Sequence, residues 1–317
     1  ELDLKSRVLA AHLQQEVLPG THALLLYPSG LEFITAFFGC LYAGVVAIPL
    51  ALPHLVRLNR TLPRLRAIAH DAEAKLVLTT ATVGRRMNEL IASVPELVGA
   101  RFIATDHVAP GSAVQWQEPR LAPETIAFLQ YTSGSTSTPR GVVLSHLNIL
   151  QNLSYIQQCE DNTEDSRSVS WLPMHHDMGL IEGILQPAFG GYTAHLLPPV
   201  SFLQRPIRWL QAISRYRATI SGGPDFAYDL CMRKITPEQC RDLDLRCWKV
   251  AYNGSEPIRA SSMAGFVKKF SSYGFTGHAL RPVYGLAEAT LLVSSGGRGG
   301  VPASITVDAA ALARDEV

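Results

Sequence analysis

The feature that most constrains the fold is a repeated alternation between short apolar runs and stretches with helical spacing. Short runs rich in β-branched and aromatic residues each predict a strand: HALLLY, VVAIPL, AKLVLTT, RFIATD, TIAFLQYT, SVSWLP, TAHLLP, ATISGG and WKVAYNG. Between them, RLNRTLPRLRAIAHDAE, SHLNILQNLSYIQQ, IRWLQAISRYR and SSMAGFVKKF carry apolar residues at helical intervals. Alternating strands and helices form βαβ units, so we expect an α/β fold with mostly parallel sheets flanked by helices.

The length of the chain predicts two subdomains. With 317 residues, 47% of them hydrophobic, the chain can bury a large core but is long for one compact unit. The polar segment from Glu160 to Ser168 is the expected boundary, giving a first subdomain region at 1–165 and a second at 166–317. The sequence starts without Met and ends in the polar AALARDEV, which indicates a fragment of a longer polypeptide.

The charge balance and the cysteine content argue against nucleic-acid binding, a disulfide framework and a zinc site. The 28 Lys and Arg against 27 Asp and Glu give a net charge of +1, without the basic excess that nucleic-acid binding requires. The 5 cysteines are odd in number and form no CxxC pair, so neither a disulfide framework nor a zinc site is predicted. A reducing cytoplasm fits best.

An uncharged stretch from Phe33 to Pro53 is about as long as the ~20 residues that span a bilayer. A membrane component, such as part of a transporter, is therefore one alternative. Glycines and prolines divide the stretch, however, and we favour a buried helix from about Leu31 to Tyr42, a stop at Gly44 and a strand from Val45 to Leu50. The N-terminus has no signal-peptide pattern, so we expect no stable membrane span.

The most informative segment is YTSGSTSTPRG, from Tyr131 to Gly141. It joins a predicted strand to a helix that starts near His146, and it combines glycine, several hydroxyl groups and the guanidinium of Arg140. Such a loop can wrap phosphates with backbone N–H groups, hydroxyls and positive charge. Its composition fits an ordinary polar surface loop equally well. It does not match GxxxxGK[ST], which disfavours an ATPase or kinase of that class.

Together with the following VVLSHLNIL, this loop resembles the signature loop of adenylate-forming enzymes, a superfamily that includes acyl-CoA synthetases, luciferases, peptide-synthetase adenylation domains and fatty acyl-AMP ligases. The superfamily usually has Gly-x-Pro-Lys where this chain has Ser137 to Arg140; arginine keeps the charge and can bind two phosphate oxygens. The resemblance implies that Arg140 and the start of the loop bind phosphates. The loop residues are Thr132, Ser133, Gly134, Ser135 and Thr136.

The segment WLPMHHDMGLI resembles the LPxxHDMGL motif of the fatty acyl-AMP ligase branch. The resemblance implies that His176 lies beside the substrate carboxylate and the α-phosphate, with Met178 near the substrate. Adjacent His175, His176 and Asp177 rarely converge on one metal ion, and the segment lacks the Asp position of the HHxxxDG acyltransferase pattern. A purely structural role for His176, capping the next helix, is the alternative.

The segment SGGPDFAYDL follows a predicted strand and resembles SGGPNFAYDLC of the same branch, with Asp225 in place of Asn. The resemblance implies that this loop and the following helix line an acyl channel. An ordinary strand-to-helix turn is the alternative. The substrate-binding residues implied here are Ser221, Gly222, Gly223, Pro224, Asp225 and Phe226.

Two further turns resemble the superfamily's adenine-binding motifs. NGSEP resembles NGAEP, and YGLAEAT resembles the corresponding motif of the acyl-AMP ligase branch, since Ala287 stands where many superfamily members have Thr. The resemblance implies that Tyr284 offers a face to adenine and that Glu288 is an oxygen ligand for Mg²⁺. The implied nucleotide-binding residues are Asn253, Gly254, Ser255, Glu256, Pro257, Tyr284, Gly285, Leu286 and Ala287.

The resemblance covers nearly the whole chain and implies the N-terminal part of a fatty acyl-AMP ligase. The expected reaction uses ATP and Mg²⁺ to convert a long-chain fatty acid to acyl-AMP with release of pyrophosphate, with His176, Arg140 and Glu288 as catalytic residues. The acyl group would then pass to the phosphopantetheine thiol of an acyl carrier protein, on a separate chain or, as in polyketide synthase loading, in the same polypeptide.

The superfamily's C-terminal domain, with its catalytic lysine, is absent from the sequence. We therefore expect this chain alone to bind nucleotide weakly and to adenylate poorly. The alternatives are an acyl-CoA ligase that uses free CoA and a noncatalytic acyl- or nucleotide-binding module.

Overall fold

Two six-stranded sheets frame the protein in the computed structural model, which describes residues 1–53, 58–92, 94–132, 139–297 and 300–316. The first sheet has the order β4-β3-β1-β2-β5-β6 and is parallel except for the antiparallel pair β5 and β6. Its strands are β1 His22–Leu26, β2 Val46–Leu50, β3 Leu76–Thr79, β4 Arg101–Ala104, β5 Ile126–Thr132 and β6 Arg140–Ser145.

The second sheet has the order β12-β11-β10-β9-β7-β8 and is parallel except for β12, which pairs antiparallel with β11. Its strands are β7 Arg167–Ser170, β8 Thr193–Leu196, β9 Ile220–Gly223, β10 Val250–Asn253, β11 Leu280–Gly285 and β12 Leu292–Ser295. The predicted α/β class with two mostly parallel sheets is confirmed.

Helices connect the strands and cover the sheets, as the parallel crossovers require. They are α1 Leu2–Glu16, α2 Leu31–Ala43, α3 Leu58–Asp71, α4 Ala81–Ala92, α5 His146–Glu160, α6 Gln186–Gly190, α7 Pro199–Gln204, α8 Ile207–Tyr216, α9 Asp225–Lys234, α10 Ala260–Phe270 and α11 Ala309–Leu312. A π-helix, Met178–Leu185, directly precedes α6. The helical spacing predicted α3, α5, α8 and α10, and the structure confirms each of them.

The long uncharged stretch is divided as the sequence predicts. Helix α2 ends at Ala43, Gly44 adopts a left-handed conformation with φ +72°, and β2 follows. Left-handed backbone at this position stops the helix at little cost because glycine has no Cβ. Within the described part of the chain, we find no helix whose length and apolar content would let it cross a membrane.

The π-helix packs between the two sheets. Leu180, Ile181 and Ile184 are buried in the core on the first sheet, beside Phe37 and Phe128. Met178, at the start of the same helix, belongs to the core on the second sheet. Because the second half of the chain completes the core of the first sheet, the two halves are packed against each other. The subdomain division near residue 165 stays a prediction.

Candidate active site

A cavity of about 460 Å³ opens at the carboxyl ends of strands from both sheets. The ends of β5, β7, β9, β10 and β11 all contribute to it, which is where open α/β folds bind ligands. The residues that line it are Gln130, Tyr131, Thr132, Trp171, Leu172, Pro173, His176, Asp177, Met178, Gly179, Pro199, Leu203, Pro224, Phe226, Ser255 and Gly285.

The cavity unites residues from each motif that the sequence singles out. The predicted site residues on its wall are Thr132, His176, Met178, Pro224, Phe226, Ser255 and Gly285. Sequence reasoning missed Gln130, Trp171 and Asp177 as lining residues. Each is a neighbour in sequence of a predicted motif residue, which was the available signal.

The strand pair β5 and β6 fixes both ends of the phosphate-binding loop predicted from the sequence. Thr132 and Arg140 are directly opposite each other in the antiparallel ladder. The side chain of Arg140 is exposed, and the side chain of Thr132 is partly buried on the cavity wall. The predicted phosphate contacts Ser133, Gly134, Ser135 and Thr136 lie outside the described residues.

Glu288 lies on a short 3₁₀ turn, Ala287–Ala289, that packs beside β6. Asn152 holds the end of this turn by donating from Nδ2 to the carbonyl oxygens of Ala289, at 3.3 Å, and Leu292, at 2.9 Å. The Glu288 carboxylate is exposed and lines a polar groove of about 310 Å³. It is close enough to the main cavity for its charge to help raise the pKa of Asp177, after the larger effect of burial.

Glu288 fits a shared magnesium site. In the part of the chain that the structure describes, no three His, Cys, Asp or Glu side chains converge to hold a metal. The exposed Glu288 carboxylate, beside a polar groove separate from the main cavity wall, is of the kind that suits Mg²⁺, which typically takes one or two protein carboxylates plus substrate phosphates and water.

The loop that carries His176 is pinned to the first sheet. Gln130 donates from Nε2 to the carbonyl oxygen of His175 at 3.0 Å. Gly179 packs against Pro173, whose carbonyl oxygen would lie 2.1 Å from any added Cβ. Asp177 caps the π-helix by accepting a hydrogen bond from the backbone of Met178 at 2.7 Å. The capping role considered for His176 therefore belongs to Asp177.

Desolvation lowers the pKa of both histidines of this loop, although His176 is exposed at the cavity and His175 is only partly buried. Desolvation lowers the pKa of His176, against the opposing charge of Asp177. Desolvation, with the neighbouring His176, lowers the pKa of His175 to about 4. The two rings lie 4.5 Å apart. A neutral imidazole in the cavity can donate or accept a hydrogen bond near developing charge.

Both carboxylate oxygens of Asp225 accept hydrogen bonds from other parts of the protein. Its Oδ1 accepts a hydrogen bond from Nδ2 of Asn253 at 3.0 Å, and its Oδ2 accepts one from the Ser262 hydroxyl at 2.9 Å. The side chain is only 3% exposed. Asp225 thus joins α9 to β10 and α10, and it presents no free oxygen to the cavity, whereas the neighbouring Pro224 and Phe226 do face it.

The SGG segment brings the backbones of β9 and β10 close together. Ser221 accepts a hydrogen bond from Trp209 at 2.7 Å and is buried. A Cβ on Gly222 would meet the Tyr252 carbonyl oxygen at 2.1 Å, and one on Gly223 would meet the Trp171 ring at 2.7 Å. These three residues shape the cavity from behind rather than lining it.

The NGSEP turn has two buried residues followed by three exposed ones. Asn253 and Gly254 are buried, and Gly254 packs against Val283, whose Cγ2 would lie 2.6 Å from an added Cβ. Ser255, with φ +68°, lies on the cavity wall. Exposed Glu256 accepts a hydrogen bond from the backbone N–H of Phe226 at 2.7 Å and so caps α9. Pro257 is exposed beside it.

The YGLAE turn presents one aromatic ring to solvent. Tyr284 is 62% exposed, and the strand pairing is irregular between it and Gly285. Gly285 permits this bend because an added Cβ would lie 2.0 Å from the Leu291 carbonyl oxygen. The N–H of Leu286 donates to the same oxygen at 3.0 Å, and Ala287 is buried.

Comparison with known proteins gives one family. Residues 1–310 match the model for the AMP-binding enzyme family. The chain is 47% identical over its whole length to JamA of Moorena producens, a medium-chain-fatty-acid–[acyl-carrier-protein] ligase, and it covers 54% of that protein. It is 38% identical to the long-chain-fatty-acid–AMP ligase FadD32 of Mycolicibacterium smegmatis, with 97% of this chain and 49% of FadD32 aligned.

Comparison with solved structures also finds fatty acyl-adenylate ligases. The crystal structure of a fatty acyl-adenylate ligase from L. pneumophila, in complex with acyl adenylate and pyrophosphate, superposes with a TM-score of 0.87 at 42% identity. The superposition covers 94% of this chain and 51% of the Legionella protein. The chain spans about half the length of the curated relatives it matches.

Proposed function

Because the chain belongs to the AMP-binding enzyme family, we propose that it is the nucleotide-binding part of a fatty acyl-AMP ligase. The reaction is attack of a fatty carboxylate on the α-phosphate of ATP, which forms acyl-AMP and releases pyrophosphate. The observation that carries this proposal is the single cavity that gathers Thr132, His176, Ser255 and Gly285 from four separate motifs. Medium- and long-chain fatty-acid ligases among the relatives support the substrate class.

The residues have distinct proposed roles. Thr132 and Arg140, at the two ends of the phosphate loop, hold the β- and γ-phosphates, and the exposed ring of Tyr284 stacks on adenine. Neutral His176 donates a hydrogen bond to the carboxylate and α-phosphate as charge shifts between them. Glu288 would hold Mg²⁺, which neutralises phosphate charge when bound. Catalysis then depends on positioning and electrostatic stabilisation, without a covalent enzyme intermediate.

The acyl acceptor and the acyl chain length form the finer part of the proposal. We propose a carrier-protein thiol as acceptor, supported by the acyl-carrier-protein ligases among the relatives. In this step the thiolate attacks the acyl carbonyl, the new thioester forms, and AMP leaves. The long-chain acid expected from the sequence remains the proposed substrate, and a medium-chain acid is the competing outcome.

Binding and turnover test the proposal separately. Calorimetric titration of the 317-residue chain with an acylsulfamoyl adenosine, a stable mimic of acyl-AMP, should give saturable binding that Glu288→Gln leaves intact, because the mimic lacks the β- and γ-phosphates. Binding of ATP with Mg²⁺ should weaken in Glu288→Gln. We expect slow pyrophosphate release from ATP and fatty acid by this chain. Failure to bind either nucleotide would refute the proposal.

Acceptor specificity is tested by offering the chain preformed acyl-AMP together with either CoA or a phosphopantetheinylated carrier protein. Mass spectrometry then identifies the acylated thiol. Acylation of the carrier supports the proposed function, and exclusive formation of acyl-CoA supports an acyl-CoA ligase instead. Tight binding of acyl-AMP with no turnover in any mixture, including one with the whole parent polypeptide, would indicate a binding module.

A further inference from the structure

A small cavity that adjoins the proposed active-site cavity, here called the extension, has two glutamates on its wall. The extension shares Met178, Ser255 and Gly285 with the main cavity, and Glu160 and Glu182 form part of its wall. It leaves about 40 Å³ for the centre of a water-sized sphere. This exceeds the roughly 10–15 Å³ that one water needs, so the extension has room for the terminal group of a ligand but not for a long alkyl segment.

The two glutamates form a hydrogen-bonded pair. Glu182, on the π-helix, is 6% exposed, and Glu160, at the end of α5, is half-buried. Their carboxyl groups are hydrogen-bonded to each other, and Nδ2 of Asn162 donates to Oε2 of Glu160 at 2.9 Å. Burial raises the pKa of both carboxyl groups. Two carboxyl groups in such contact hold a proton between them, so the pair can both donate and accept a hydrogen bond.

Two buried polar side chains near the glutamate pair have no hydrogen-bond partner among the described residues. The side-chain amide of Gln186, one helical turn after Glu182, is fully buried and has no partner there. The buried Tyr192 hydroxyl also has no partner among these residues, and it is close enough to both glutamates for their charges to raise its pKa. Leaving a buried polar group unpaired is unfavourable. Neither Gln186 nor Tyr192 is on the wall of the extension, so a ligand there would meet the carboxyl groups of Glu160 and Glu182 rather than these two side chains.

We propose that Glu160 and Glu182 select acyl substrates whose distal end carries a hydroxyl group. This inference rests on the proposed function, because it requires the reactive carboxylate to lie near His176 in the adjoining cavity. A hydroxyl has one donor and two acceptor positions, which matches a carboxyl pair that holds one proton. A methyl end would leave the remaining hydrogen-bonding positions of the two carboxyl groups unused, and an ammonium would face the positive charge of Arg281, which already interacts with Glu160.

Four acylsulfamoyl adenosines test the inference by calorimetry on the 317-residue chain. Octanoyl and hexadecanoyl tails are each compared with the ω-hydroxy tail of the same length, so that chain length and terminal group are separated. We expect the hydroxyl to tighten binding about tenfold at the length that reaches the pair. Equal affinity of hydroxyl and methyl tails at both lengths would overturn the inference while leaving the proposed function intact. If no analogue binds, both fail.

Variants of Glu160 and Glu182 test whether a preference for the hydroxyl tail depends on this pair. Replacing both carboxyl groups at once, in Glu160→Leu with Glu182→Leu, removes donor and acceptor together and should preserve folding better than either single change. This double variant should prefer the methyl tail. Glu182→Gln keeps the shape and hydrogen bonding and should retain the hydroxyl preference, even if the double variant does not fold. Exposed Glu124→Leu is the matched control. Three results would each overturn the assignment to the glutamate pair. They are an unchanged hydroxyl preference in the folded double variant, loss of that preference in Glu182→Gln, and tighter binding of an ω-amino tail than of the ω-hydroxy tail.

Discussion

Asn253 donates a hydrogen bond from its side-chain amide to the carboxylate of Asp225 at 3.0 Å, in a region where both side chains are almost fully buried. Asp225 begins α9, and Asn253 ends β10. The second carboxylate oxygen is taken by Ser262 of α10. The bond thus fixes the position of the Pro224 turn, which forms part of the cavity wall.

Asp225→Ala should lower the free energy of unfolding by about 2–3 kcal/mol, because it leaves the buried donors of Asn253 and Ser262 without an acceptor. Asp225→Asn should cost less than about 1 kcal/mol, since its carbonyl oxygen can accept from Asn253 while its amide donates to the Ser262 hydroxyl oxygen. Urea denaturation measures both. Equal losses in the two variants would show that the carboxylate does not act through these hydrogen bonds.

Gly222→Ala should destabilise the fold by about 3 kcal/mol or more. The added Cβ would lie 2.1 Å from the Tyr252 carbonyl oxygen, so β9 and β10 would have to separate. Gly84→Ala is the matched control, because its Cβ would meet only the Thr79 methyl group at 3.6 Å and because alanine favours α4. The control should be neutral or slightly stabilising in thermal unfolding. A Gly222→Ala protein as stable as the control would contradict the close packing of these strands.

The alternation of apolar runs and helical spacing was sufficient to predict the α/β class and most strands. It missed β6, β11 and β12. Strand β11 contains Pro282, which argues against a central strand by local rules, while β6 and β12 pair antiparallel at sheet edges next to turn-rich segments. Their pairing partners are distant in sequence or lie across a loop, so no local pattern reveals them.

The candidate site was predictable where a motif turn ends a strand. His176, Ser255 and Gly285 do share one cavity. Sequence could not show that Asp225 and Glu256 are engaged by backbone and side-chain partners on other elements, because those partners become neighbours only after the sheets pack. The glutamate pair was invisible for the same reason, since Glu160 and Glu182 lie on different helices.

Through His175, folding stability should decrease as the pH falls from about 6.5 to about 4, against the opposite contribution of the Glu160 and Glu182 carboxyl groups, whose pKa burial raises. The folded-state pKa of His175, about 4, lies below its unfolded value of about 6.5. The native state therefore binds this proton less readily, and the stabilisation present above pH ~6.5 is lost on acidification, by up to about 1.4 kcal/mol per pH unit. His175→Phe should flatten this part of the urea-denaturation profile. Exposed His70→Phe is the control and should leave the slope unchanged; an unaltered slope in His175→Phe would sink the prediction.

Tyr284→Ala should weaken ATP binding about tenfold without changing stability. The ring is 62% exposed at the end of β11, so its removal leaves no cavity, whereas stacking on a flat aromatic ligand is worth about 0.5–1.5 kcal/mol beyond the area it buries. Tyr284→Phe keeps the ring face and should bind ATP nearly as well as the unaltered chain. Phe189→Ala removes another exposed ring, 41% exposed on α6 and away from the cavity wall, and should leave affinity unchanged. Calorimetric titration with ATP measures all three variants, and an equal loss in Tyr284→Ala and Phe189→Ala would argue against adenine stacking at this turn.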